Sequence, residues 1–408
     1  MAAPTVFART AIEIPSSGIC LHGFLHLPTT PGPCPLAILV HGFGGLKEWT
    51  LPDLATSLSA AGIAALYFDP RNFGDSEGQP REEVDHLGRL TDLQNAIAYA
   101  TTSPEIDAER IGLWGTSLGG RDVLAIAAVD RRVKAVVAQT PVVHWVELSG
   151  ARMAGYGVDL EKFRKELAED RKLRLLGGKA TYVPFAREWD KPKHEMLETL
   201  SEEEKRNYTG MVTLQSYAPT VLADITPLIK QLGPTPVRFI LAKEDPVPGQ
   251  RDAFEAAQEP KSLVEVEGHH FSVYTTSKGP AIAAAVEWFA DQLTPQSRFS
   301  IPAVYGQPTV VNLSLHQVPV KSESRDVRIA CTKRSVIGTL RSSAWVHITQ
   351  VHQNPMGPEA SLQSPEESKV RRARNLPCQN QPPADNGRRR WLKHPYNTTH
   401  QQLHVHPQ

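Results

Sequence analysis

The stretch that most limits what this chain can fold into runs from Ile111 to Ala128. Ile111-Gly112-Leu113-Trp114 is a short apolar run that reads as a buried strand, and Val123-Leu124-Ala125-Ile126-Ala127-Ala128 reads as helix. Between them lies Gly115-Thr116-Ser117-Leu118-Gly119-Gly120. A chain that passes from strand to helix over so few residues must hold Ser117 in a strained backbone conformation. The flanking glycines are needed because a Cβ there would strike the neighbouring strand or helix. Such a turn lifts the serine hydroxyl out at the carboxyl edge of a sheet. The helix N-terminus behind it favours negative charge.

The rest of the chain repeats the same alternation. Thr10–Ile14 and Cys20–Leu27 read as two strands joined by a Pro-Ser-Ser-Gly turn. Pro35–Val40 is a continuous apolar run, typical of a strand buried on both faces, and it ends in His41-Gly42-Phe43-Gly44-Gly45. A helix over Leu51–Ala61 is closed by Gly62, and the strand Ile63–Phe68 ends in Asp69. The loop Asp69–Gly78 is dense in turn formers, and Leu87, Leu90, Leu93, Ile97 and Ala100 recur at helical spacing. Val133–Ala138, Val237–Ala242 and Leu263–Val266 are further strands, with helices at Ala253–Gln258 and Ala281–Leu293. The pattern predicts an α/β fold with a mostly parallel central sheet covered by helices on both faces. In such sheets the loops after the strand carboxyl ends converge on the site.

Two segments break the rhythm. From about Val143 to Gly233 there is no convincing buried strand, and Leu160–Leu167 and Leu197–Tyr208 read as charged helices. So long a run is not a plain loop and reads as a helical cap insertion. Its Trp145, Met153, Tyr156, Tyr182, Phe185, Trp189 and Tyr217 serve as packing between cap and core or as pocket lining. The division expected is therefore core 1–142, cap 143–235, core 236–295 and a basic, disordered tail 296–408. The formal net charge is zero, yet residues 296–408 carry 15 Lys and Arg against 6 Asp and Glu. Pro, Ser, Gln, Asn and Arg dominate there, without a sustained apolar period. Arg371-Arg372-Ala373-Arg374 and Arg388-Arg389-Arg390 lack the aromatic platform of a nucleic-acid binder, so no nucleic-acid partner is expected. His394, His400, His404 and His406 lack the scaffold of a metal site. Four cysteines, with no CxxC or CxxH spacing, predict neither a zinc site nor a disulfide framework. No leader and no membrane-length apolar run is visible, and the expectation is a soluble, cytoplasmic protein without metal or cofactor.

A serine hydroxyl is a poor nucleophile until a base within hydrogen-bond reach takes its proton, and the base needs an orienting acid. Ser117, Asp245 and His270 occur in that order, the acid after a late strand and the histidine in Glu267-Gly268-His269-His270-Phe271 after the last one. Asp69 is the rival acid, read instead as stiffening the turn-rich loop behind it. His269 competes with His270 for the base, and the position directly before Phe271 favours His270. The oxyanion of an acyl intermediate calls for two amides. Leu118, just after the serine, and Phe43, in the glycine-rich His41–Gly45 loop, are the candidates. His41 reads as a brace for that loop.

With these residues in place, residues 10–295 resemble the α/β-hydrolase superfamily. Three stretches, His41-Gly42-Phe43-Gly44-Gly45, Asp69–Gly78 and Gly268-His269-His270-Phe271, are similar to its fungal polyketide transferase branch. That branch usually shows Gly-Gly-His-Phe where this chain has Gly-His-His-Phe. The resemblance implies hydrolysis or transfer of acyl chains in secondary-metabolite biosynthesis. The implied substrates are acyl thioesters, carrier-bound polyketides among them, with an alcohol as acceptor. The alternatives are a plain carboxylesterase or thioesterase and, from another class, a slow small-molecule receptor or scaffold.

Overall fold

A computed structural model describes residues 7–294, apart from 31, 145–158, 188–189, 219, 221 and 223. Trp145, Met153, Tyr156, Trp189 and the whole segment 296–408, with its arginine and histidine clusters, lie outside the described residues.

The chain opens with a hairpin of β1 (Phe7–Ser16) and β2 (Ile19–Pro28). Ser17 and Gly18 between them both have positive φ, 49° and 82°, the two-residue turn whose twist matches that of the strands. There follow β3 (Cys34–Val40), α1 (Leu51–Ala60), β4 (Ala64–Phe68), α2 (Gly88–Ala100), β5 (Ile106–Thr116), α3 (Leu118–Val129) and β6 (Val133–Gln139). Then come α4 (Leu160–Leu175), β7 (Tyr182–Pro184), α5 (Lys191–Glu198), β8 (Met211–Thr213) and α6 (Thr226–Ile229). The chain returns to the sheet with β9 (Val237–Ala242), α7 (Gln250–Ala256), β10 (Lys261–Val266) and α8 (Lys278–Leu293).

Eight strands form one sheet in the order β1-β2-β4-β3-β5-β6-β9-β10. From β4 to β10 every neighbour pair is parallel, and the β1–β2 hairpin joins antiparallel to β4. The continuous apolar runs have the expected cause. On one face Leu36, Ile38, Leu113 and Val136 pack against Leu93 and Ile97 of α2 and Val123 and Leu124 of α3. On the other, Ala37, Leu39, Trp114 and Val137 pack against Leu54 and Leu58 of α1 and Ala285 and Phe289 of α8. A strand with both faces buried cannot afford alternating polar residues.

Between β6 and β9 the structure departs from the sequence reading, and the helix expected over Leu160–Leu167 runs on to Leu175 as α4. The helix expected over Leu197–Tyr208 is instead α5, Lys191–Glu198, followed by turns. Ser201 closes a local ring with the Glu204 carboxylate, and the Glu204 carbonyl accepts from Trp49 Nε1 at 2.8 Å rather than from a helical amide. Strands β7 and β8, three residues each, pair antiparallel in a separate ribbon too short to leave a period-2 signal. Cys34 is a buried free thiol.

Candidate active site

Ser117 is the single residue between β5 and α3, with φ 55° and ψ −119°, a conformation that side-chain-bearing residues avoid. Its amide donates to Gln139 O at 2.9 Å, and its carbonyl accepts from Val142 N at 3.0 Å, so β6 and the loop after it hold the turn from both sides. A Cβ on Gly115 would run into the backbone of Gly119. One on Gly119 would run into the carbonyl oxygens of Val40 and His41. Both glycines are therefore required by close approach.

Two other strand ends supply the partners of Ser117. His270 Nε2 lies 3.0 Å from Ser117 Oγ, and His270 Nδ1 lies 2.8 Å from Asp245 Oδ2. An ionised carboxylate can only accept, so Nδ1 carries the ring proton and Nε2 is left to accept from the serine hydroxyl. Asp245 is further held by Val247 N at 2.9 Å and Gln250 Nε2 at 2.9 Å. Burial pushes its carboxyl up. The contact with His270 and the bonds from His270, Val247 and Gln250 outweigh that and hold it below the usual carboxylate range. Glu244 N donates to Gly268 O at 2.9 Å, tying the acid loop to the histidine loop, and Gly268 turns with φ 87°. His269 points back on its own loop, its Nδ1 accepting from Phe271 N at 3.2 Å.

Asp69 is elsewhere. It accepts from Lys47 N at 2.8 Å, Lys47 Nζ at 2.6 Å and Asp75 N at 2.9 Å, and Lys47 reaches on to Asp75. The His41–Gly45 loop lies against the serine: a Cβ on Gly42 would stand 3.0 Å from Ser117 Cβ and 3.5 Å from its Oγ. Leu118 is the first residue of α3, where the amides have no intrahelical acceptor. His41 is buried, its Nδ1 accepting from Gly42 N at 2.8 Å and its ring stacked on Tyr274. Burial and the Arg89 charge lower its pKa to about 3, so the ring is neutral. The Phe43 side chain meets Tyr217 at 5.0 Å and Phe185 at 6.2 Å between ring centroids. These rings belong to an apolar cluster with Leu118, Val142, Val247 and Phe271, which joins the β6–β9 segment to the site. Tyr182 is outside it, half-exposed, with its hydroxyl on Arg81 O.

Sequence reasoning missed a buried charged group behind the serine. Arg121 and Asp122, both without solvent exposure, pair with each other, and Arg89 joins Asp122 at 2.7 Å. The signal was available: two charged residues opening an otherwise apolar helix must find partners inside. Among the described residues no group of three or more His, Cys, Asp or Glu side chains is placed to hold a metal ion, and no helix is long and apolar enough to cross a membrane.

A mostly parallel eight-stranded sheet with a serine at the β5–α3 turn defines a class, and the sequence comparison agrees with it. The chain belongs to the alpha/beta hydrolase family, whose model matches residues 37–285. Among its relatives, the quorum-quenching protein AidA of Acinetobacter baumannii is 38% identical over 175 residues, covering 43% of this chain and 57% of AidA. The thiohydrolase aneE of Aspergillus aculeatus is 27% identical over 306 residues, covering 68% and 91%. The polyketide transferase grgF of a Penicillium species is 28% identical over 270 residues, covering 64% and 88%. The crystal structure of GrgF from Penicillium sp. sh18 superposes with a TM-score of 0.61 at 25% identity, covering 70% of this chain and 99% of that one. The resemblance to the fungal polyketide transferase branch thus extends well beyond three short motifs.

Proposed function

We infer that this protein cleaves acyl thioesters or esters through a covalent acyl-serine, with Ser117 as nucleophile, His270 as base and Asp245 as its orienting acid. The single observation that carries the reading is His270, placed 3.0 Å from Ser117 Oγ and 2.8 Å from Asp245 Oδ2. His270 Nε2 takes the hydroxyl proton as Oγ attacks the acyl carbonyl. The same proton passes to the leaving thiolate as the C–S bond breaks. In the second half-reaction His270 deprotonates water or an alcohol, which displaces Ser117. The Phe43 and Leu118 amides receive the negative oxygen in both steps. Residues 143–235 act as a cap. Its Phe185 and Tyr217, packed with Phe43 beside the serine, form the wall for an apolar acyl chain.

The acyl donor best supported is a polyketide-like thioester, free or carrier-bound, from secondary metabolism; the relatives named thiohydrolase and polyketide transferase support it. An apolar cap wall that excludes water and concentrates an acceptor favours some transfer to a hydrophobic alcohol alongside hydrolysis. A fluorophosphonate probe should label Ser117, and chromatography of a medium-chain acyl thioester with hydrophobic alcohols should yield ester as well as free acid. Free acid alone reduces the reading to a thioesterase. An unlabelled, inactive protein returns it to a receptor.

A further inference from the structure

Arg89, in the first turn of α2, is buried between two parts of the site. Its Nε donates to Asp122 Oδ2 at 2.7 Å, and its Nη2 donates to the carbonyl oxygen of His41 at 2.7 Å. Asp122 lies on α3, which begins at Leu118; His41 opens the loop that carries Phe43 two residues later. One planar guanidinium therefore spans the two backbone segments that bear the candidate oxyanion amides. The segments already touch, since Gly119 is the only residue type that fits against the Val40 and His41 carbonyls.

The charges around Arg89 do not balance within the group. Asp122 also accepts from Arg121 Nε at 3.0 Å and Nη2 at 2.7 Å, so two guanidiniums share one carboxylate. Arg121 faces His86 Nδ1 at 3.1 Å, and burial together with the Arg121 charge lowers the His86 pKa to about 4, leaving that ring neutral. The cluster keeps an excess positive charge at the N-terminal end of α3, the end that starts from Ser117.

We propose that Arg89 is a positioning residue for the oxyanion hole: it fixes the separation of the Phe43 and Leu118 amides and supplies the surplus charge behind them. The proposal rests on the acyl-serine reading. Oxyanion donors act only within about 2.7–3.1 Å of the developing charge, and a misplacement of about 1 Å costs on the order of 100-fold. Ground-state binding of an acyl chain depends on the apolar wall, whereas the Arg89 hydrogen bonds go to Asp122 and the His41 carbonyl. Its loss should therefore lower kcat and leave KM nearly alone.

Arg89→Met removes both donors and the charge while Asp122 keeps Arg121, so no buried carboxylate is left alone. Arg89→Lys keeps the charge but gives up the planar fork that reaches both acceptors. With kcat counted per fluorophosphonate-titrated site, Met should lower it about 100-fold and Lys about 10-fold, with KM within about threefold. A boronic acid that forms a tetrahedral adduct on Ser117 should lose affinity in step with kcat/KM. The carboxylic acid product should hold its affinity within about threefold. A purely structural arginine would lower the melting temperature and the titratable fraction but leave kcat per site unchanged, and that result overturns the proposal. If the Met variant does not fold, the Lys variant carries the same test. A wild-type protein that the probe does not label on Ser117 sinks the acyl-serine reading itself, a result separate from either variant outcome.

Discussion

Asp69 and Asp245 hold equivalent stations and have opposite surroundings. Each follows the carboxyl end of a parallel strand, β4 or β9, and each side chain is almost fully buried. Asp69 faces a fixed cation: Lys47 Nζ lies between it and Asp75, and the Lys47 and Asp75 amides complete its shell. Burial pulls the Lys47 pKa down, but the two carboxylates outweigh it and keep the amine charged. Asp245 faces an imidazole whose second nitrogen is aimed at Ser117. The same residue type at the same kind of strand end is thus bonded to a lysine in one place and to the His270 imidazole in the other. The difference is made by the partner the adjoining loop brings.

The contrast can be broken most severely at its far end. Ser117→Ala should lower kcat by about 10⁴-fold or more while the fold persists, because Ala fits wherever the serine does. Steady-state turnover of an acyl thioester, beside an unchanged circular dichroism spectrum, checks this; near-wild-type turnover would end the mechanism.

The direct comparison is Asp245→Asn against Asp69→Asn. The first should cost about 10³–10⁴-fold in kcat, since the ring loses its orientation and the support of its positive form. The second should leave kcat within about fivefold but lower the unfolding free energy by about 3 kcal/mol, because a buried ion pair loses one member. Turnover and urea unfolding on both variants decide it. If Asp69→Asn is the more damaging to turnover in a folded protein, the two roles have been exchanged.

Acid sharpens the same contrast with imidazoles. His270 stands against a carboxylate, whereas His41 and His86 are buried beside the positive charges of Arg89 and Arg121. Their folded-state pKa values, about 3 and about 4, lie below the ordinary 6.5. As pH falls below about 6.5 the unfolded chain takes up protons that the folded one refuses. The stabilisation these rings give at neutral pH is therefore lost progressively from about pH 6.5 down to about pH 4 for His86 and about pH 3 for His41. The slope is up to about 1.4 kcal/mol per pH unit for each ring. Urea midpoints at pH 7 and pH 5 should show the decline, and equal midpoints would contradict the buried neutral rings.

The smallest effect belongs to His269. Its ring turns back to the Phe271 amide, so His269→Ala should leave kcat within about threefold. A loss as large as that of His270→Ala would move the base by one residue.

The strands of the main sheet, the helices that cover it and the positions of Ser117, Asp245 and His270 after strand ends were legible in the chain because they are local. Apolar runs of five to seven residues, helical spacing and glycine punctuation are each decided within one element, and the strands of the eight-stranded sheet fall where those patterns put them. The turns after Glu198 and the β7–β8 ribbon were not legible: a distant Trp49 and three-residue strands leave no local trace. Which carboxylate lies against the histidine, which histidine faces the serine and what Arg89 joins are visible only in three dimensions. Ser117 and His270 are 153 residues apart in the chain, and Arg89 and His41 are 48. A hydrogen bond depends on tenths of an ångström between groups that only the packed sheet brings together, and no periodicity in sequence records that distance.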